Sequence, residues 1–208
     1  MDRNAAQLPH KLARRLRQGD IRNSLYLTYY HGYLLVRDSL HGTKYAGSSS
    51  ASEVGGSDSR STGNFPAHPR IARRLLEGVP DRPSKTLLDV GCGSGSLLDV
   101  ALDLGFKRAD GIELFGPVAD RARANISDQR CEVMVGDALT ADLRGYDVLT
   151  LYNPFPMIAE YEPLISRASP EYVLLFNLEA VQLSNYVVVR SYTHPIYRPF
   201  TGRLLRRA

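Results

Sequence analysis

Residues 86–105, TLLDVGCGSGSLLDVALDLG, constrain the chain more than any other stretch. An apolar run at 86–91 passes through glycines at 91, 93 and 95 directly into a helical pattern at 96–105 that stops at Gly105. A short apolar run bounded by glycine reads as a buried strand. Glycines between a strand and a helix permit a tight turn and let a ligand lie against bare backbone at the helix N-terminus. Spacing narrows the ligand. The dinucleotide fingerprint needs a third glycine three residues after the second, and Ser96 stands there. The loop is instead GxGxG behind an acid, Asp89, at the strand end, which argues against a nicotinamide or flavin.

The same alternation continues on both sides. Helical patterns occupy 67–78, 117–126 and 156–168, the last with Pro163 as a candidate break, and further strands read at 110–114, 131–138, 146–154 and 171–177. Residues 185–193 and 195–207 read as two more extended pieces, a candidate hairpin across His194-Pro195. Strands alternating with helices of this length imply right-handed crossovers and a mostly parallel sheet. The expected fold is α/β: a Rossmann-like, seven-stranded, mostly parallel sheet with helices on both faces and an N-terminal helical extension. In such sheets the ligand binds beyond the carboxyl ends of the strands, where the strand order reverses.

The extension is expected to cover residues 1–64 and the core 65–208. Leu8, Leu12 and Leu16 recur at four-residue spacing among arginines, the mark of an amphipathic helix at 8–18. Tyr26, Tyr29, Tyr30, Tyr33 and Leu34 fall on one helix face, either as core or as a pocket wall. Residues 47–63 hold seven serines and four glycines, too little apolar surface to order themselves, so a mobile loop is expected. Charge is uneven: 1–40 carries seven Lys/Arg against three Asp/Glu, and 190–208 carries five Arg and no acid. With a net charge of +4, the middle is left acidic. Basic ends can meet an acidic partner such as RNA, or only keep the protein soluble. Apolar runs reach five residues at 172–176, against the roughly 20 that a membrane helix needs. Two cysteines, one inside the glycine turn, suit a reduced, cytoplasmic protein. No CxxC or HxxxH spacing marks a metal site.

The run LLDVGCGSGSLL resembles the first motif of class I S-adenosylmethionine-dependent methyltransferases, and later elements follow in the family's order. The resemblance spans roughly residues 65–190. It implies that S-adenosylmethionine is the cofactor and S-adenosylhomocysteine the product. It also implies cofactor-binding roles for Asp89, Gly91, Cys92, Gly93 and Gly95, for Glu113 and Leu114 after the second strand, for Asp137 and Ala138 after the third, and for Asn153 after the fourth. In the family the acid at the Glu113 position accepts the ribose hydroxyls and the acid at the Asp137 position the adenine amino group. Taken singly, Asp89 could be a helix cap, Asp137 a turn residue and Cys92 a packing residue.

Asn153-Pro154-Phe155 after the fourth strand is similar to the (D/N)PP(F/Y) signature of amino-methylating enzymes, with one proline fewer. It is closer to a group of small YNPF-bearing methyltransferases distantly similar to the non-SET lysine methyltransferases. In the (D/N)PP(F/Y) enzymes the Asn or Asp side-chain oxygen and a backbone carbonyl hold the acceptor nitrogen in line with the methyl group, and in the lysine methyltransferases an Asn-containing loop lies at the same strand end. Residues 38–45, DSLHGTKY, are similar to a stretch that the same group carries upstream, and are expected to roof the active site. His41, beside Gly42 in that roof, is the candidate proton acceptor, with Tyr30, Tyr33 and Tyr45 as alternatives and His31 and His194 as further histidines. His68 begins the helix that, in related folds, touches the cofactor's methionine end.

The expected reaction is methyl transfer to a nitrogen, or an oxygen, of a small-molecule acceptor, since the chain is short and its cap modest. RNA through the basic ends, a protein side chain, and a non-catalytic cofactor-binding subunit are the alternatives. The aromatic segment could equally cover a neighbouring subunit of a homodimer.

Overall fold

The computed structural model describes residues 21–45, 67–152, 158–177, 181–194 and 201–208. The helices are α1 (Ile21–His41), α2 (Pro69–Leu76), α3 (Ser96–Asp103), α4 (Gly116–Asn125) and α5 (Ile158–Ala168). The strands are β1 (Thr86–Val90), β2 (Arg108–Glu113), β3 (Val133–Val135), β4 (Val148–Tyr152), β5 (Tyr172–Phe176), β6 (Tyr186–Thr193) and β7 (Thr201–Arg207). They form one seven-stranded sheet in the order β3-β2-β1-β4-β5-β7-β6. Strands β1 to β5 pair in parallel, and β7 runs antiparallel between β5 and β6. β1 therefore sits where the chain reverses direction across the sheet, between β2 and β4.

The apolar runs read as strands because both sheet faces are covered. Leu87, Val148, Leu174 and Leu204 point to the side that packs with Ile71 and Leu75 of α2, Leu98 and Ala101 of α3, and Ala119 of α4. Their neighbours Leu88, Leu149, Val173, Leu175 and Leu205 point to the other side, against Leu164 and Ile165 of α5. Each fully buried leucine contributes about 1.5–3 kcal/mol by leaving water. Tyr26, Tyr30 and Leu34 of α1 belong to the first cluster, so α1 is packed onto the sheet layer.

Two glycines set how close the layers come. Gly95 precedes α3 with φ +87°, and a Cβ there would stand 2.7 Å from the Ile126 Cδ1. At Gly111 in β2 a Cβ would stand 2.6 Å from the Cys92 sulfur and 2.9 Å from the Leu98 Cδ1. The bare backbone at 111 is what lets the glycine loop and α3 lie flat on β2.

Several boundaries differ from the sequence reading. β3 is only three residues long, because Asp137 turns the chain at once: its carbonyl accepts from the Thr140 and Ala141 amides. α5 continues through Pro163, which faces solvent while Leu164, Ile165 and Ala168 hold the inner side. Tyr29 leaves the shared face and is 58% exposed, whereas Tyr26 and Tyr30 are buried. The proposed helix at 8–18, the Ser/Gly stretch 47–63 and residues 195–200 of the last extended piece lie outside the described residues. Among the described residues no helix is long and apolar enough to cross a membrane.

Candidate active site

The carboxyl ends of β1, β2, β3 and β4 lie along one edge of the sheet, and the loops that leave them hold the residues singled out from sequence. The glycine loop is pinned from beneath. The Gly91 and Cys92 amides donate to the Ile112 carbonyl at 2.8 and 3.2 Å, and the Gly95 amide to the Cys92 carbonyl at 2.9 Å. The Gly93 amide donates to the Glu113 Oε2 at 3.0 Å, and the Phe115 amide to the Oε1 at 3.1 Å. Glu113 thus bolts the glycine loop to the β2–α4 turn at Leu114-Phe115. A carboxylate oxygen can accept more than one hydrogen bond, so Glu113 keeps acceptor capacity toward a ligand. Burial raises its pKa, and the Phe115 and Gly93 amides pull the other way.

Asp89 lies between Gly111 and Thr150 in register and is 4% exposed. The Thr150 hydroxyl donates to its Oδ1 at 2.5 Å. Burial pushes the carboxyl up to about 7, the Thr150 hydrogen bond opposes this, and the Glu113 charge adds to it. Because the folded value lies above the unfolded one, the group's stabilising contribution is complete below about pH 4 and is lost as pH rises through about 7. The loss is up to about 4 kcal/mol, at 1.36 kcal/mol per pKa unit. Thermal melts of the wild type and Asp89→Asn at pH 5 and pH 8 should therefore show the wild type losing ground to the variant as pH rises. Parallel melts at both pH values would remove this account of Asp89.

Cys92 is buried against Gly111, and burial raises its thiol pKa well above the usual range, so it is a packing residue rather than a nucleophile. Both Cys92 and Cys131 are free. Asp137 accepts from the Leu139 amide at 3.0 Å within its own turn, and Ala138 packs on the second core cluster. Among the described residues no cluster of three or more His, Cys, Asp or Glu side chains is placed to hold a metal ion.

α1 crosses the other half of the same edge. Tyr152 and Phe176, paired at the ends of β4 and β5, have ring centroids 5.6 Å apart. β6 runs parallel to β5 because both are antiparallel to β7, so His194 beyond its end is at this edge too. Tyr26 lies 4.4 Å from the His194 ring, and Tyr30 stacks on His68 at 4.7 Å. The Tyr30 hydroxyl donates to the Ala67 carbonyl at 3.2 Å, and burial, with Tyr152 next in effect, raises its pKa. His68 caps α2 by accepting from the Arg70 amide at its Nδ1, 3.2 Å. Burial, then His194 and Arg70, lowers its pKa to about 4, so it is neutral at pH 7. His41 is exposed on the last turn of α1, and Asn153, Pro154 and Phe155 lie outside the described residues, directly after Tyr152.

Sequence reasoning missed the ties that hold the 38–45 segment. Arg37 pairs with Asp99 of α3, and its guanidinium lies 5.0 Å over the Tyr45 ring. The Asn125 side chain accepts from the Lys44 amide at 2.8 Å and donates to the Ser94 carbonyl at 3.0 Å. Thr43 closes α1 on Asp38 through both its amide and its hydroxyl. No local pattern announces pairs 62 and 81 residues apart.

Residues 88–169 match a family model described as a methyltransferase domain. The ribosomal protein L11 methyltransferase of Actinobacillus succinogenes is 37% identical over 107 residues, which is 48% of this chain and 36% of that protein. That of Pectobacterium carotovorum is 39% identical over 106 residues, 48% of this chain and 35% of that protein. The chain thus spans about a third of the length of the curated relatives it matches. Among solved structures, an RNA methyltransferase from Salinibacter ruber in complex with S-adenosyl-L-homocysteine superposes with a TM-score of 0.57 at 22% identity, covering 67% of this chain and 92% of that one. Magnesium protoporphyrin IX methyltransferase from Synechocystis PCC 6803 does so with 0.54 at 15% identity, covering 67% and 77%. These likenesses give the sheet the Rossmann-like fold of the solved methyltransferases, and residues 88–169 are similar to a methyltransferase domain.

Proposed function

We propose that this domain is a working enzyme that moves the methyl group of S-adenosylmethionine to a nitrogen, or an oxygen, of a small-molecule acceptor. The observation that supports a small acceptor is α1 set against His194, just beyond β6, and against His68, with Tyr26 and Tyr30 buried there. A cap of stacked rings encloses a compact molecule and obstructs a folded macromolecule.

The cofactor, when bound, supplies a methyl group on a positively charged sulfur. Glu113 would take the ribose hydroxyls, Asp137 and Ala138 the adenine edge, and the backbone of residues 91–95, with Leu114, the remainder. Asn153 and the carbonyls of Pro154 and Phe155 would hold the acceptor with its lone pair toward the methyl carbon. Held there by Asn153 and these carbonyls, the acceptor would take up the methyl carbon with its lone pair, and the carbon–sulfur electron pair would be left on sulfur. The acceptor then sheds one proton. Burial keeps the Tyr30 and Tyr45 phenols protonated at neutral pH and makes His68 a weak base, which leaves exposed His41, or water, to take that proton.

An RNA acceptor is the second reading. Exposed Arg70 and Arg74, over the Tyr33 and Tyr192 rings at 5.8 and 5.2 Å, favour it. The test supplies radiolabelled cofactor with a small-molecule extract, total RNA or total protein, each at two salt concentrations. Label should enter the small-molecule fraction, at a rate that changes less than about threefold between roughly 50 and 200 mM salt. A macromolecular contact to several phosphates would instead lose orders of magnitude in affinity over that range. Label entering RNA or protein alone would overturn the small-molecule assignment.

A further inference from the structure

Helix α1 is apolar on two opposite faces, and the protein's own core uses one of them. Tyr26, Tyr30 and Leu34 are buried in that core. Across the helix Ile21, Leu25, Tyr29, Val36 and Leu40 are all between 56 and 76% exposed, with exposed Leu35 beside them. Successive helical residues are turned by about 100°, so Ile21, Leu25, Tyr29, Gly32, Val36 and Leu40 form one stripe along the whole length of α1. Monomeric soluble proteins rarely leave a contiguous apolar patch of this extent in water.

The spacing points to what covers it. The stripe advances by four, four, three, four and four residues, and reads the same from either end. A two-fold interface presents the same patch on both partners, which must be complementary to itself. Two α1 helices laid antiparallel about an axis midway between residues 30 and 31 meet that condition. Ile21 then faces the second copy's Leu40, Leu25 its Val36, and Tyr29 its Gly32. A Cβ at Gly32 would meet nothing within 4 Å, so the surface is open where the Tyr29 ring enters. The exposed parts of the stripe and Leu35 come to roughly 600 Å² on each copy, and a pair buries about 1,200 Å², where specific interfaces begin. A helix lying on a membrane is the other common use of an apolar face, but it needs a basic polar face opposite. In α1 that opposite face is the one held in the core, and Arg37 is taken by Asp99.

We propose that the outer stripe of α1 is a dimer interface, at which two copies of this chain pair α1 antiparallel about a two-fold axis. The inference does not rest on the cofactor reading. It does bear on the candidate site, because the inner face of α1 sets Tyr26 against His194 and Tyr30 against His68. Each copy steadies the helix that roofs the other's site.

Sedimentation velocity on the full chain tests the pairing. A dimer should be present at about 10 µM, the weak end for an interface of this size. Leu25→Lys sets a charge against the second copy's Val36 at both ends of the interface, and should raise the dissociation constant at least about a hundredfold. Val36→Glu should do the same. Combining the two substitutions brings opposite charges face to face and should recover the dimer to within about tenfold of wild type. Gly32→Leu fills the space that Tyr29 enters. Leucine is the better helix former, so the melting temperature should hold or rise while the dimer weakens at least about tenfold. A chain that stays monomeric at about 100 µM would overturn the proposal. So would a dimer indifferent to all three single substitutions, or a combined variant no tighter than its parents. A monomer that sediments with anionic phospholipid vesicles would give the stripe to a membrane surface instead. A monomer whose melting temperature falls with Leu25→Lys would give it to a segment of the same chain. Either result overturns the dimer.

Discussion

Replacing Glu113 with alanine is expected to weaken S-adenosylhomocysteine binding by at least about a hundredfold, measured by calorimetry on the purified protein. Two effects add. The first is loss of an acceptor for the ribose hydroxyls; a charge-assisted hydrogen bond contributes about 1.5–3 kcal/mol, and a bidentate contact contributes twice. The second is loss of the anchor for the Gly93 and Phe115 amides, which places the glycine loop before any ligand arrives. Glu113→Gln separates the two. Its amide oxygen can still accept one of those N–H groups, but its NH₂ cannot accept the other. An intermediate loss, about tenfold, is expected for it. Binding within threefold of wild type in both variants would mean that the cofactor does not use the β2 end, and the assignment of Glu113 would have to be withdrawn.

Asn153→Ala should lower turnover by at least about a hundredfold while S-adenosylhomocysteine affinity stays within threefold. Orientation of two reacting groups accounts for several kcal/mol of a barrier, and removing one fixed acceptor commonly costs about 10²–10³ in rate. The split matters more than the size. An interaction made with the acceptor in the transition state lowers kcat without touching cofactor binding. Equal loss of turnover and cofactor affinity would show that Asn153 shapes the cofactor pocket, and the acceptor would then need another holder. Asn153→Asp supplies the complementary variant, since it keeps an oxygen acceptor and should retain most of the rate on an acceptor that donates N–H.

The two experiments touch parts of the molecule that were unequally legible in the sequence. The sheet was readable because β1, β4 and β5 are covered on both faces, so Leu87-Leu88 and YVLLF appear as unbroken apolar runs. The glycine loop and the acid at the β2 end were readable because each follows a strand immediately, where chain position and space coincide. β3 was overlong in the reading because the strand was carried past Gly136 into Asp137-Ala138, where the hydrogen bonds of the Asp137 turn replace the ladder. Pro163 looked like a break because its missing N–H is visible in sequence while its outward position is not. The ties of the 38–45 segment were not legible at all. Arg37 and Asp99, or Lys44 and Asn125, are ordinary polar residues until the fold brings α1 over α3 and α4. The same holds for His68, whose neutral state comes from burial among Tyr30, His194 and Arg70.

The contacts of α1 also carry a consequence for the order in which the molecule is made. Tyr30 and Arg37 of the helix meet Ala67 and Asp99, 37 and 62 residues further on, and Lys44 just after it meets Asn125, 81 residues further on. During synthesis α1 is therefore exposed to solvent, tyrosines included, long before any surface exists to receive it. Closing loops of that length is entropically slow compared with forming the local βα units. The sheet with its glycine turn can close first, and the roof is the last piece fitted. A nascent chain interrupted before residue 125 would hold a strand, a turn and a helix for the nucleotide, and no chamber in which to use it.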